Sequence, residues 1–162
     1  MKQAGNLFIF LIILLTGFTS CDSGRVFDKY LEIPGAAWHK DSLVVFDVPV
    51  EDTLQNHNLL IQIRNKTSYP YSNLWLFVEI TQPGGKVQRD TFEIVLADPA
   101  GRWLGKGFGG VKTLQSVYRR NVYFPISGEY KISLQQGMRD DVLKGIHDIG
   151  FRVEKAVKGG KE

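Results

Sequence analysis

A period of two runs through this chain from Ser42 onward and limits what it can fold into. In YKISLQ, Tyr130, Ile132 and Leu134 point one way while Lys131 and Ser133 point the other. In IGFRVEK, Ile149, Phe151 and Val153 repeat the pattern against Gly150, Arg152 and Glu154. Alternation of this kind predicts strands with one face buried and the other wet. Five further segments, Ser42 to Val48, Leu59 to Arg64, Asn73 to Thr81, Arg89 to Ala97 and Val117 to Phe124, are short, rich in β-branched and aromatic residues, and bounded by Pro, Gly, Asn or Asp. No stretch longer than about ten residues combines helical periodicity with caps, although Met138 to Gly145 allows a single helical turn within a connection.

Turn chemistry supports the same division. Gln82-Pro83-Gly84-Gly85-Lys86 is a Pro-Gly turn that predicts a hairpin between the third and fourth strands. Pro125-Ile126-Ser127-Gly128 joins two more. About seven strands over roughly 130 residues predict an all-β domain: a single antiparallel β-sandwich, jelly-roll or immunoglobulin-like, over residues 30–156, with a barrel as second choice. Residues 157–162 form a basic tail expected to be disordered and solvated.

The N-terminus obeys a different logic. Lys2 precedes an unbroken apolar run from Leu7 to Leu15, and small or flexible residues then lead to Cys21, the single cysteine of the 162-residue chain. A membrane-spanning helix needs roughly 18 consecutive apolar residues, about twice this run. Residues 1–20 therefore read as a cleaved lipoprotein signal peptide, with Phe18 standing where an aliphatic residue is more usual. A lone exported thiol cannot pair within its own chain. Diacylglycerol on Cys21, with an acyl chain such as palmitate on the new amino terminus, explains both its isolation and its position. Each buried methylene contributes about 0.8 kcal/mol, and two or three chains anchor stably. Polar residues through Lys29 then read as a lipidated tether over 21–29.

Charge and motifs exclude much else. The 20 basic and 17 acidic residues give a net +3, mixed along the chain, with no stripe that would suit nucleic acid. Gly105 to Thr113 approaches a phosphate-binding loop, but Val111 displaces the lysine and a strand pattern follows, so no nucleotide is expected. His39, His57 and His147 stand far apart without metal-ligand spacing, and His147 and Asp148, as strand neighbours, should face apart. No serine sits in a nucleophile elbow. Asp140-Asp141 and Glu51-Asp52 read as loop charges. The expectation is a non-enzyme without metal or cofactor.

The third strand carries an anomaly. Leu74, Leu76, Val78 and Ile80 make one apolar face, yet Trp75 and Phe77 opposite them are also large and aromatic. A covering loop is the favoured explanation, a protein or glycan contact the sharper one. Trp103 and Phe108, in the glycine-rich loop, are further candidate contacts.

The run from Gln136 to Lys155 resembles the C-terminal signature of the gliding-motility lipoproteins called GldH, with Met138, Arg139, Asp148, Gly150 and Glu154 in place. Trp38 to Asp41, Ile61 to Asn65, Tyr69 to Leu74, Asp90, Gly101 to Gly107 and Gly128 to Tyr130 extend the likeness over essentially the mature chain. The resemblance implies a part of the gliding apparatus, linked to type IX secretion, with no catalytic residues. It implies envelope, motility or secretion proteins as partners, and we expect the outer membrane as the address. Relatives in species that do not glide widen the expectation to a general envelope role. Within the signature, capping by Asp140 or Asp148 and pairing of Arg139 with a carboxylate supply a structural reading.

Overall fold

The computed structural model describes residues 24–156; the predicted signal peptide, Cys21 and the tail 157–162 lie outside the described residues. Among the described residues ten strands follow one another: β1 (Arg25–Glu32), β2 (Ala37–His39), β3 (Val44–Val50), β4 (His57–Lys66), β5 (Asn73–Thr81), β6 (Val87–Val95), β7 (Val111–Val122), β8 (Gly128–Gln136), β9 (Val142–Lys144) and β10 (Ile146–Lys155). Eight of them form two four-stranded antiparallel sheets, ordered β1-β10-β4-β7 and β3-β8-β5-β6, and β2 pairs with β9 beside them.

One rule generates the pairing. β5 meets β6, β4 meets β7, β3 meets β8, β2 meets β9 and β1 meets β10. The chain is thus a single long antiparallel hairpin with the β5–β6 turn at its tip, rolled until β10 also meets β4 and β8 also meets β5. This is a jelly roll, which settles the choice left open by strand counting. At the tip, Gln82 N–H donates to the Lys86 carbonyl at 2.9 Å and Gly85 takes φ +81°, a value that favours glycine, so the predicted hairpin forms.

The alternation places the core between the sheets. Ile61, Ile63, Ile149, Phe151 and Val153 project inward from one, and Phe46, Leu74, Leu76, Ile132 and Leu134 from the other, all 0–1% exposed. Phe46 bridges the layers, its ring 5.9 Å from that of Phe151 and 6.3 Å from that of Phe27. Full burial of each such side chain contributes about 1.5–3 kcal/mol.

Three expectations are corrected. Residues 25–29, read as tether, are the start of β1, an edge strand in which Val26 and Phe27 pack against the core and a register slip between Arg25 and Phe27 breaks the alternation. Residues 142–144, read as a helical turn, form β9, held because Leu143 pairs with Trp38 and both are buried. β7 starts at Val111, not Val117, so the glycine-rich loop is shorter and a strand follows it.

Topology also gives the body two ends. Gly24, Ala156 and the connections 51–56, 82–86 and 123–127 gather at one; the connections 33–43, 67–72, 96–110 and 137–145 gather at the other.

Candidate functional site

The outer face of the β1-β10-β4-β7 sheet is closed by its own side chains. Tyr30, Gly150 and Gln62 stand side by side across three strands. A side chain at position 150 has no room: a Cβ there would lie 2.6 Å from Gln62 Oε1 and 2.9 Å from the Tyr30 ring. The Arg64 guanidinium stacks 4.0 Å from the centroid of that ring and approaches Asp148 Oδ2 at 3.7 Å. Burial raises the Tyr30 phenol's pKa, an effect that Arg64 partly offsets. Alongside, Arg152 bonds Asp28 at 2.8 Å and Glu154 at 3.2 Å, with its side chain only 13% exposed. The wet face predicted for β10 is therefore an ionic layer, with Gly150 itself buried. His147 and Asp148 do not face apart either. The register slips between Ile146 and Asp148, and this bulge brings His147 Nδ1 to 2.8 Å from Asp148 Oδ2.

The outer face of the other sheet is open. No loop covers Trp75 and Phe77, which are 39% and 49% exposed; the covering loop expected from the sequence is absent among the described residues. Phe77 borders a shallow groove of about 470 Å³ lined also by Leu43, the Glu79–Arg89 ion pair, Thr91, Ser133 and Gln135. Trp75 borders a second, of about 340 Å³, with Tyr71, Asn73, Met138 and Arg139. The exposed Leu43 and Val95 widen the apolar rim.

The signature loop shapes this second groove. Where β8 leaves β5, the Trp75 N–H donates to Met138 Sδ at 3.3 Å and the Gly137 N–H donates to the Trp75 carbonyl at 2.7 Å. The Gln136 side chain holds the turn from within, accepting from Met138 N–H and donating to the Asp140 carbonyl, both at 2.8 Å. Tyr71 Oη donates to Asp140 Oδ2 at 2.9 Å, and this bond to the carboxylate raises the phenol's pKa. Lys40 bonds Asp141 at 2.6 Å and lowers that carboxyl's pKa. Arg139, expected to pair with a carboxylate, is exposed and has no ion-pair partner among the described residues, leaving its charge at the groove beside Trp75.

The predicted residues thus divide. Trp75, Phe77, Met138 and Arg139 come together on the open face; Asp148, Gly150 and Glu154 stand on the closed one. Trp103 is half-buried against the core through a bridge to Ala97, while Phe108 is fully exposed on the glycine-rich loop at the far end. Sequence reading missed Leu43 and Gln135 and met Tyr71 only within the family likeness of Tyr69 to Leu74; only the fold brings the three beside the aromatics. Among the described residues no group of three or more His, Cys, Asp or Glu could hold a metal ion, and no helix is long and apolar enough to cross a membrane.

Comparison with known proteins agrees with the signature. A gliding motility lipoprotein GldH homolog of Christiangramia forsetii is 47% identical, with 96% of this chain and 99% of that protein covered. The gliding motility lipoprotein GldH of Flavobacterium johnsoniae is 40% identical, over 96% and 98% of the two chains. Among solved structures, the Yersinia pseudotuberculosis-derived mitogen is similar at 11% identity and a TM-score of 0.35, over 84% of this chain and 90% of that one. Residues 25–153, nearly the whole described body, match the GldH lipoprotein family, and the chain belongs to it.

Proposed function

We propose that this lipoprotein is a non-catalytic accessory or assembly component of the gliding machinery, held on the envelope by a lipid on Cys21 and working through protein contacts. An outer-membrane address and a link to type IX secretion are part of the same reading. The observation that carries it is the open face. Large aromatic residues placed outward at Trp75 and Phe77, with Arg139, which has no ion-pair partner among the described residues, beside Trp75, have the composition of interface anchors, where aromatics and arginine dominate binding energy. Family membership supports the motility context.

The test is a chromosomal Trp75→Ser, Phe77→Ser double variant in the source organism. Its level and membrane fraction should match the wild type, while gliding or surface secretion falls and an in-cell crosslinked partner is lost. Normal movement and secretion would overturn the reading. Cys21→Ala should release the protein from the membrane fraction. A second reading, glycan binding, draws on the groove under Phe77, where Gln135, Ser133 and the Glu79–Arg89 pair supply hydrogen-bonding groups next to an aromatic plane. Saturable polysaccharide binding that is lost in Phe77→Ala would favour it over protein contacts.

A further inference from the structure

The end of the sandwich that carries the chain termini has apolar side chains facing outward. Leu54 is 93% exposed, Tyr123 59% and Ile126 44%, each on a connection at that end. These connections are held in place. Asp52 Oδ1 accepts the N–H groups of Leu54 and Gln55 at 2.9 and 3.3 Å, a local turn that leaves Leu54 at the tip. Asn56 is tied to the C-terminal strand, its carbonyl accepting from Ala156 N–H at 2.8 Å. Tyr130 Oη donates to the Ile126 carbonyl at 2.9 Å, and Ile126 Cδ1 lies against the β5–β6 turn at Gly84. Leu54 and Ile126 are therefore presented by hydrogen-bonded backbone.

The length of chain between this end and Cys21 decides what covers them. The described body begins at Gly24, whose carbonyl accepts from Lys155 N–H at 2.7 Å, so the fold is fixed from that residue onward. Three residues at 3.3–3.6 Å each span at most about 11 Å. A lipid on Cys21 would then hold this end within about one headgroup layer of the hydrocarbon, where tyrosine and exposed leucine are favoured. The other end, with Phe108 and Leu104, stands a ten-residue strand away, about 33 Å. It cannot reach the same bilayer.

We infer that the terminal end of the sandwich rests on the lipid surface, with Leu54, Tyr123 and Ile126 inserted at the headgroup boundary, so that the anchor orients the body as well as tethering it. This rests on the proposed lipidation of Cys21. The orientation stands the sheets upright on the membrane, with the open aromatic face to the side and Phe108 at the outer tip.

The test uses the full-length lipidated protein, in which the lipid occupies the single native sulfur and leaves introduced thiols free for labelling. Leu54→Cys, Tyr123→Cys and, as control, Phe108→Cys are each nitroxide-labelled and reconstituted in phosphatidylethanolamine–phosphatidylglycerol vesicles. At 54 and 123 the ratio of oxygen to nickel-chelate collisions should rise several-fold over that at 108. Vesicle-bound protein whose labels at 54 and 123 match 108 would overturn the docking alone. Protein that fails to float with vesicles would overturn the docking together with the lipid reading beneath it. A Leu54→Asp, Tyr123→Asp, Ile126→Asp variant should still float through its lipid and give a freely tumbling spectrum from a label at 108; an unchanged spectrum would also count against the docking.

Discussion

The two sheets fill the core alike and treat their outer faces differently. On the first, a glycine, a stacked arginine and tyrosine and an arginine shared between two acids make a layer that excludes further partners. On the second, two aromatic residues occupy outward positions where the pattern calls for polar ones, and only part of their surface is covered. The comparison teaches that signature residues of one short C-terminal stretch can serve opposite ends: Gly150 and Glu154 help close a surface, while Met138 and Arg139 shape one left open.

Substitutions can break this contrast, and the closed face should be the more sensitive. Gly150→Val forces a branched side chain between Gln62 and Tyr30, and thermal or urea unfolding should show a loss of about 2–3 kcal/mol, the upper range for overpacking. Arg152→Ala removes hydrogen bonds to Asp28 and Glu154 where those acids are only partly solvated, for a loss of about 1.5–3 kcal/mol in the same assay. His57 sharpens the picture through pH. It is 1% exposed beside Phe124, and burial lowers its pKa from the usual 6.5. The unfolded chain therefore takes up the proton first, so stability is full above about pH 6.5 and falls as pH drops toward the lowered value. His57→Phe should flatten the melting temperature across that window; an unchanged slope would show that other groups carry it. The open face should respond least. Phe77→Ser or Trp75→Ser should shift stability by no more than about 0.5–1 kcal/mol, as for exposed sites away from special features. Unfolding as severe as that of Gly150→Val would mean that the aromatics serve the fold instead of a partner.

Much of the fold was legible because burial imposes period two wherever both neighbours of a strand are present. β5 is legible over its full span, and β8 and β10 to within a few residues, since central strands need continuous apolar inner faces. β1 and the first half of β7 escaped because edge strands are half-solvated and can be polar at alternating and non-alternating positions alike. β9 escaped because three residues carry no period. The site was less legible for a related reason. Trp75 and Phe77 stood out as aromatic residues in the wrong phase, whereas Met138 and Arg139 reach the groove beside Trp75 only after β8 has paired with β5. The meeting of His147 with Asp148 depends on a bulge, and an extra residue in a ladder leaves no mark in a single sequence.

The rolled hairpin also sets the order in which the body can come into being. Its first strand finds its partner in the last, so during translation and export the N-terminal half has nothing to complete its sheets, and only the tip near residues 82–86 can pair locally. A chain wired this way stays threadable until its final residues have crossed, and closes by zipping from the middle outward. Folding and the joining of its first and last strands are then the same event.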